Sequence, residues 1–178
     1  MVAVDEGPDW PPLELGKLLN ALNAGAVEFV AIGGIARVGQ GSAMQTKDLD
    51  ICPAPDRANL GRLASTLNPL EPAIRANGDR LPVELDAAFF ERSRVTLFET
   101  SAGWIDVLQE PKGSRGYEAL RAEADSVRIE GAQVFIASIE DLIAMKLAAG
   151  RQRDLADVEE LRAIVRQRAR IGENAPND

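Results

Sequence analysis

The stretch at 31–51 reads AIGGIARVGQGSAMQTKDLDI, and two of its features ask for more than a structural explanation. The apolar run 28–32 has the look of a short strand, and Gly33-Gly34 stops it. About fourteen residues later Asp48-Leu49-Asp50 opens a second apolar run, expected to be a strand over 49–53. Residues two apart on a strand share a face, so Asp48 and Asp50 point one way while Leu49 and Ile51 point into the core. Two carboxylates that close repel unless a cation sits between them. Magnesium suits such a pair, because it takes hard oxygen ligands and needs only a couple of carboxylates plus substrate phosphates. A calcium-binding EF-hand loop is excluded, since Cys52 and Pro53 stand where an oxygen ligand and the turn glycine belong. The glycine pair supplies the complementary half. It lets backbone approach a ligand closely, and the turn of helix after it offers unpaired N–H groups to phosphate. Together these features describe a site for a nucleoside triphosphate and its metal.

Composition narrows the chemistry. The chain has 178 residues, enough for one domain with a real core, and carries a formal charge of −8. That balance disfavours indiscriminate nucleic-acid binding. With no histidine and one cysteine, histidine acid–base chemistry, thiolate zinc clusters and intrachain disulfides all drop out. Cys52 lies in an apolar run and is expected to be an inert buried thiol. The start of the chain is acidic and has no signal-peptide pattern, and no run approaches a membrane span, so a cytoplasmic location without membrane contact is expected.

The rest of the chain reads as mixed α and β with a helical end. Residues 1–11 are expected to be flexible, 12–170 to form a single domain (core 12–136, helical part 137–170), and 171–178 to be a disordered tail. Helices are expected at 13–24, 56–67 with Asp56 as cap, and 117–124. Further helices are expected from Ser138 to Gly150, with a capping box to Asp141, and over 154–168. Strands are expected over 81–85, 95–100, 104–108, 127–129 and 133–136, the last four as two hairpins. Asp86, in "VELDAAFF", rivals Asp106 as a third carboxylate to Asp48 and Asp50, but it stands at a strand end and reads more as a cap. Asp106, between Ile105 and Val107 in "GWIDVL", is a charge in mid-strand, costly to bury unless something pairs with it.

The Gly-Gly turn, the Asp-x-Asp strand and the later Asp106 resemble the nucleotidyltransferase superfamily that includes DNA polymerase β. "ASIEDLIAMKLAAGRQRDLADVEEL", 137–161, looks like the C-terminal signature of the AbiEii/AbiGii-type toxin nucleotidyltransferases and their relatives. The resemblance implies an α+β, polymerase β-like fold: a mixed sheet flanked by helices, with C-terminal helices. It implies metal ligation by Asp48, Asp50 and Asp106 at a two-magnesium site, with the same three as catalytic residues. Gly33 and Gly34 would then cradle phosphate and Lys146 would bind the triphosphate. Asp157 would orient Lys146 or Arg151, and Asp154 is the alternative, as a helix cap. Lys146 shares a helical face with Ile139, Leu142 and Ile143, so its ammonium either reaches water or meets an anion.

Many superfamily members carry Ser or Thr where Ile35 stands, and Ser42, Gln45 or Thr46 in the polar loop are the candidates to replace that hydroxyl. The expected reaction moves a nucleoside monophosphate from a triphosphate to an acceptor hydroxyl. The toxin resemblance implies an RNA end, such as tRNA, or a protein as acceptor, and a cognate antitoxin as partner. Residues 146–170 hold seven Lys/Arg against four acids, a basic patch that a solvated helix face explains equally well. A small cationic acceptor such as an aminoglycoside is the alternative, drawn to an acidic cleft. A nucleotide-binding regulatory protein without turnover is the reading from another class.

Overall fold

The structure, a computed structural model, describes residues 12–43 and 45–173. The expected flexible segment 1–11 and most of the expected tail lie outside the described residues.

Helix α1 (Leu15–Ala24) precedes strand β1 (Phe29–Ile32), which runs directly into the short helix α2 (Gly33–Gly39). Strand β2 (Asp48–Pro53) pairs antiparallel with β1, and helix α3 (Arg57–Leu67) follows, its first turn capped by Asp56 accepting from the Asn59 N–H. Strands β3 (Ala73–Ala76) and β4 (Asp79–Pro82) form a hairpin, helix α4 (Ala87–Arg92) is capped by Asp86, and β5 (Val95–Thr100) and β6 (Gly103–Leu108) form a second hairpin. Helix α5 (Tyr117–Ala122), the hairpin β7 (Asp125–Ile129) and β8 (Ala132–Ile136), and helices α6 (Ile139–Ala149) and α7 (Gln152–Glu173) complete the chain.

All eight strands form one sheet in the order β4-β3-β5-β6-β2-β1-β8-β7. The β2–β6 and β1–β8 pairs are parallel and the others antiparallel. One face of the central strands carries Leu49, Ile51, Phe98, Ile105 and Val107, all buried. They join one core with Leu18, Leu19 and Leu22 of α1, Leu60, Leu63 and Leu67 of α3, and Phe90 of α4. Alternation then sends Asp48, Asp50, Trp104 and Asp106 to the opposite face. The core is what fixes the carboxylates on one side.

Three local differences from the sequence expectations have clear causes. Strand β3 and the turn after it were not expected, and the strand placed at 81–85 instead occupies Asp79–Pro82. Asn77 and Gly78 both have left-handed φ angles, 52° and 88°, the pair that a two-residue hairpin turn requires. That turn sets the register, with Arg75 opposite Arg80. The short helix α4 was also not expected; its aromatic residues make Phe89 and Phe90 a cluster with Phe98, ring centroids 5.5–6.2 Å apart. Helix α7 exceeds its expected bounds at both ends and reaches Glu173, inside the segment expected to be disordered. Nothing between 152 and 171 is Gly or Pro, so the helix has no stop signal there.

Candidate active site

The β2–β6 register places Asp50 opposite Asp106, and Asp48 stands two residues before Asp50 on the same face. One oxygen from each of the three carboxylates lies within 4.8 Å of the others. The trio expected from sequence is therefore brought together. Burial is the main cause that raises Asp50 from an ordinary 3.8 to about 7, with the charges of Asp48 and Asp106 adding to it. The Gly34 N–H and the Lys146 ammonium pull the other way. Asp106 rises to about 6, again chiefly through burial and secondarily through Asp48, while the Arg75 guanidinium opposes the rise. Three hard oxygen donors with unfavourably crowded charge suit a divalent cation such as magnesium.

The glycine pair has a more particular role than a general turn. Gly33 has φ 60°, and a Cβ there would overlap the Asp50 carboxylate. A Cβ on Gly34 would overlap Thr46, whose Oγ1 donates to Asp48 Oδ1 at 3.0 Å. Gly34 also gives its N–H to Asp50. The two glycines thus let α2 start directly against the carboxylate strand. Of the three hydroxyl or amide candidates in the loop, Thr46 sits at the glycine pair. Ser42 turns away and donates to Glu160 at 2.8 Å. Ile35 is a core residue, 3% exposed.

On the other side of Asp50 is a cavity of about 400 Å³. Gly33 and Asp50 form one wall, Leu108 and Lys112 another, and Met145, Lys146 and Arg151 the third. A larger hollow of about 620 Å³ beside β4 is lined by Asn68, Glu71, Arg80 and Glu84 and contains none of the three carboxylates. Lys146 reaches this wall because Ser138 caps α6, accepting from the Asp141 N–H at 3.1 Å, and α6 then runs to Gly150.

The anions that Lys146 meets among the described residues are carboxylates of α7. Lys146 donates to Asp157 and lies 3.6 Å from Asp154. Asp157 also accepts from Arg37, which reaches Glu160 at 3.7 Å. Asp157 therefore orients Lys146 and Arg37, while Arg151 pairs with Asp154 at 2.8 Å. Asp154 is the third residue of α7 rather than its cap, and its carboxylate accepts the Arg151 backbone N–H at 3.3 Å.

Sequence reasoning missed Arg37, Arg75 and Lys112. Arg37 follows Gly34 by three residues on α2 and is 6% exposed, and no spacing rule marks a buried arginine there. Arg75 could have been found through Asn77-Gly78, the turn that defines its strand. Cys52 is buried and its thiol pushed up to about 12, which agrees with an inert role.

No family model matches the chain, and no curated protein matches it. Solved structures do. The lincosamide antibiotic adenylyltransferase LnuA, in its lincomycin-bound form, aligns with a TM-score of 0.57 at 14% identity, over 85% of this chain and 96% of LnuA. A nucleotidyltransferase candidate from Thermotoga maritima aligns at 0.54 and 16% identity, over 86% of this chain and 91% of its own. An antigenic nucleotidyltransferase-like protein from Paracoccidioides brasiliensis aligns at 0.52 and 17% identity, over 83% and 72%. The chain has the nucleotidyltransferase fold.

At these identities the likeness extends to the fold, and the chemistry rests on the residues themselves. Within this nucleotidyltransferase fold the carboxylates stand on β2 and β6, and the cations stand on α6 and the joint before α7. Among the described residues no helix is long and apolar enough to cross a membrane.

Proposed function

We propose that this protein is a magnesium-dependent nucleotidyltransferase that moves a nucleoside monophosphate from a nucleoside triphosphate to an acceptor hydroxyl. The observation that carries this reading is the convergence of Asp48, Asp50 and Asp106 beside a cavity edged by Lys112, Lys146 and Arg151. Asp48 and Asp50 would hold magnesium, with Thr46 fixing the Asp48 carboxylate. When bound, the metal would neutralise phosphate charge and favour in-line displacement. Lys146 and Arg151 would take phosphate oxygens, and the apolar wall of Leu108, Leu142 and Met145 would receive the base. Gly33, on the cavity wall, would let phosphate approach the backbone, and Gly34 would hold Asp50 through its N–H.

Asp106 would share in metal ligation and accept the proton of the acceptor hydroxyl. In the metal-free protein burial raises its pKa to about 6, and a bound divalent cation would favour its ionised, proton-accepting form. The acceptor oxygen bonds to the α-phosphorus as the bond from that phosphorus to the bridging oxygen breaks. Pyrophosphate leaves with the electron pair, and the proton passes to Asp106. Thr46 supplies a hydroxyl beside the glycine pair although Ile35 belongs to the core, which favours turnover over a purely regulatory role.

A small hydroxylated molecule fits best as acceptor. The cationic patch at 146–170 is divided: Lys146 and Arg151 line the cavity proposed for the nucleotide, Arg162 pairs with Glu159, and Arg168 donates to the Gln40 carbonyl. Little of it is left to hold an RNA backbone. The C-terminal motif at 137–161 favours the second reading, a toxin-type transfer to an RNA end or a protein. A single assay separates them. Pyrophosphate release is followed with each of the four triphosphates and magnesium, adding an aminoglycoside and lincosamide panel, total RNA or a protein extract. Release driven by a small hydroxyl compound is the expected result. Release driven only by RNA or protein reverses the acceptor assignment, and none under any combination refutes the transferase itself.

A further inference from the structure

Arg75 lies on β3, two strands away from Asp106, a separation of about 10 Å. The ladders explain how the two meet. Ile74 pairs with Phe98, and Leu97 pairs with Asp106, which pairs with Asp50. Carrying the β3–β5 ladder one residue further places Arg75 opposite Leu97. Arg75, Leu97, Asp106 and Asp50 therefore form one row across four strands of the open face. From that row the arginine side chain passes over Leu97 and donates from Nη2 to Asp106 Oδ1. Its guanidinium carbon lies 4.1 Å from the centre of the Trp104 ring, on the same face of β6 as Asp106.

The placement has a cost. Arg75 Nε is buried with no hydrogen-bond partner, and its cross-strand neighbour Arg80 is engaged by Glu99 at 2.7 Å. A buried donor left unsatisfied needs a reason. Asp106 supplies one. Beside Asp48 and Asp50 it would carry a third uncompensated charge, and Arg75 is the cation that pairs with it.

We infer that Arg75 is an internal counterion for Asp106, occupying one of its oxygens and competing there with the metal. The inference rests on the metal site of the proposed function and adds a component to it. A carboxylate has two oxygens, so Arg75 on Oδ1 leaves Oδ2 for a cation held jointly with Asp48 and Asp50. Full engagement of Asp106 by a metal requires the guanidinium to slide off along Trp104. Arginine suits this place because lysine has neither the fork that aims a carboxylate nor the plane that stacks on an indole.

The test uses manganese(II) as probe, with free ion counted by electron paramagnetic resonance and folding checked by circular dichroism. Arg75→Met keeps an apolar stem on Trp104 and removes the competitor, so manganese affinity should tighten about tenfold, the change for one charged hydrogen bond. Arg75→Gln is the companion should the first variant fold poorly, and the same direction is expected. Arg75→Lys keeps the charge and should fall between parent and Arg75→Met. The effect must run through Asp106, so in an Asp106→Asn background Arg75→Met should change nothing. Unchanged or weaker binding in a folded Arg75→Met or Arg75→Gln, or equal tightening in the Asp106→Asn background, overturns the inference alone. A parent protein that binds no manganese overturns the metal site and this inference together.

Discussion

Asp50 holds more unfavourable free energy than its neighbours, and that has a measurable consequence. Its folded pKa of about 7 stands above the 3.8 of an unfolded carboxyl. Between those values the folded chain binds the extra proton, so stability is greatest below the lower value and falls as pH rises through the upper one. Asp106, at about 6, acts in the same direction. Thermal melts of the metal-free protein should therefore show Tm falling from pH 5 to pH 8, by about 2–4 °C for each kcal/mol involved. Asp50→Asn should flatten that slope, and magnesium should restore Tm at pH 8 in the parent only. A metal-free Tm that rises over this range contradicts the raised values. At this scale Gly33, Gly34, Asp48, Asp50 and Asp106 were legible, because period two and a pair of glycines are local signals. Arg75 was not, since its importance depends on a ladder that joins residues 31 apart in the chain. Asp157 was half legible: an acid near Lys146 was expected, but its second partner Arg37 comes from 120 residues away.

Elements were legible where a cap or a long period marked them. Asp56, Asp86 and Ser138 all cap as expected, each accepting an N–H three residues on. The hairpin of β3 and β4 was missed because Arg75 and Arg80 make its alternation look polar on the sheet face that carries the carboxylates. The length of α7 was missed because its polar outer face gives no period to follow. Helix α6 matters most for the site, since it carries Lys146. Ser138→Ala should destabilise the fold by about 1 kcal/mol, the usual loss for an N-cap, read as a lower urea midpoint at unchanged slope. An unchanged midpoint would mean that α7 and α2 hold α6 without its cap.

In the whole molecule, the helical end is fastened to the start of the site by polar contacts. Arg37 donates to Asp157, Ser42 to Glu160 and Arg168 to the Gln40 carbonyl, so α7 grips α2 and the start of the loop that follows it. Lys146 and Arg151, on the elements so fastened, line the cavity beside Asp50. The mixed α and β class was legible from the order of elements, whereas the eight-stranded sheet depended on pairings between distant segments. The central claim is that the carboxylate trio and the cationic wall act as one metal–nucleotide site. Calorimetric titration with non-hydrolysable triphosphates of each base, in magnesium and in chelator, tests it most directly for the parent and Asp50→Asn. The account predicts binding that requires magnesium and weakens at least about tenfold in Asp50→Asn; equal binding in chelator, or in Asp50→Asn, would contradict it.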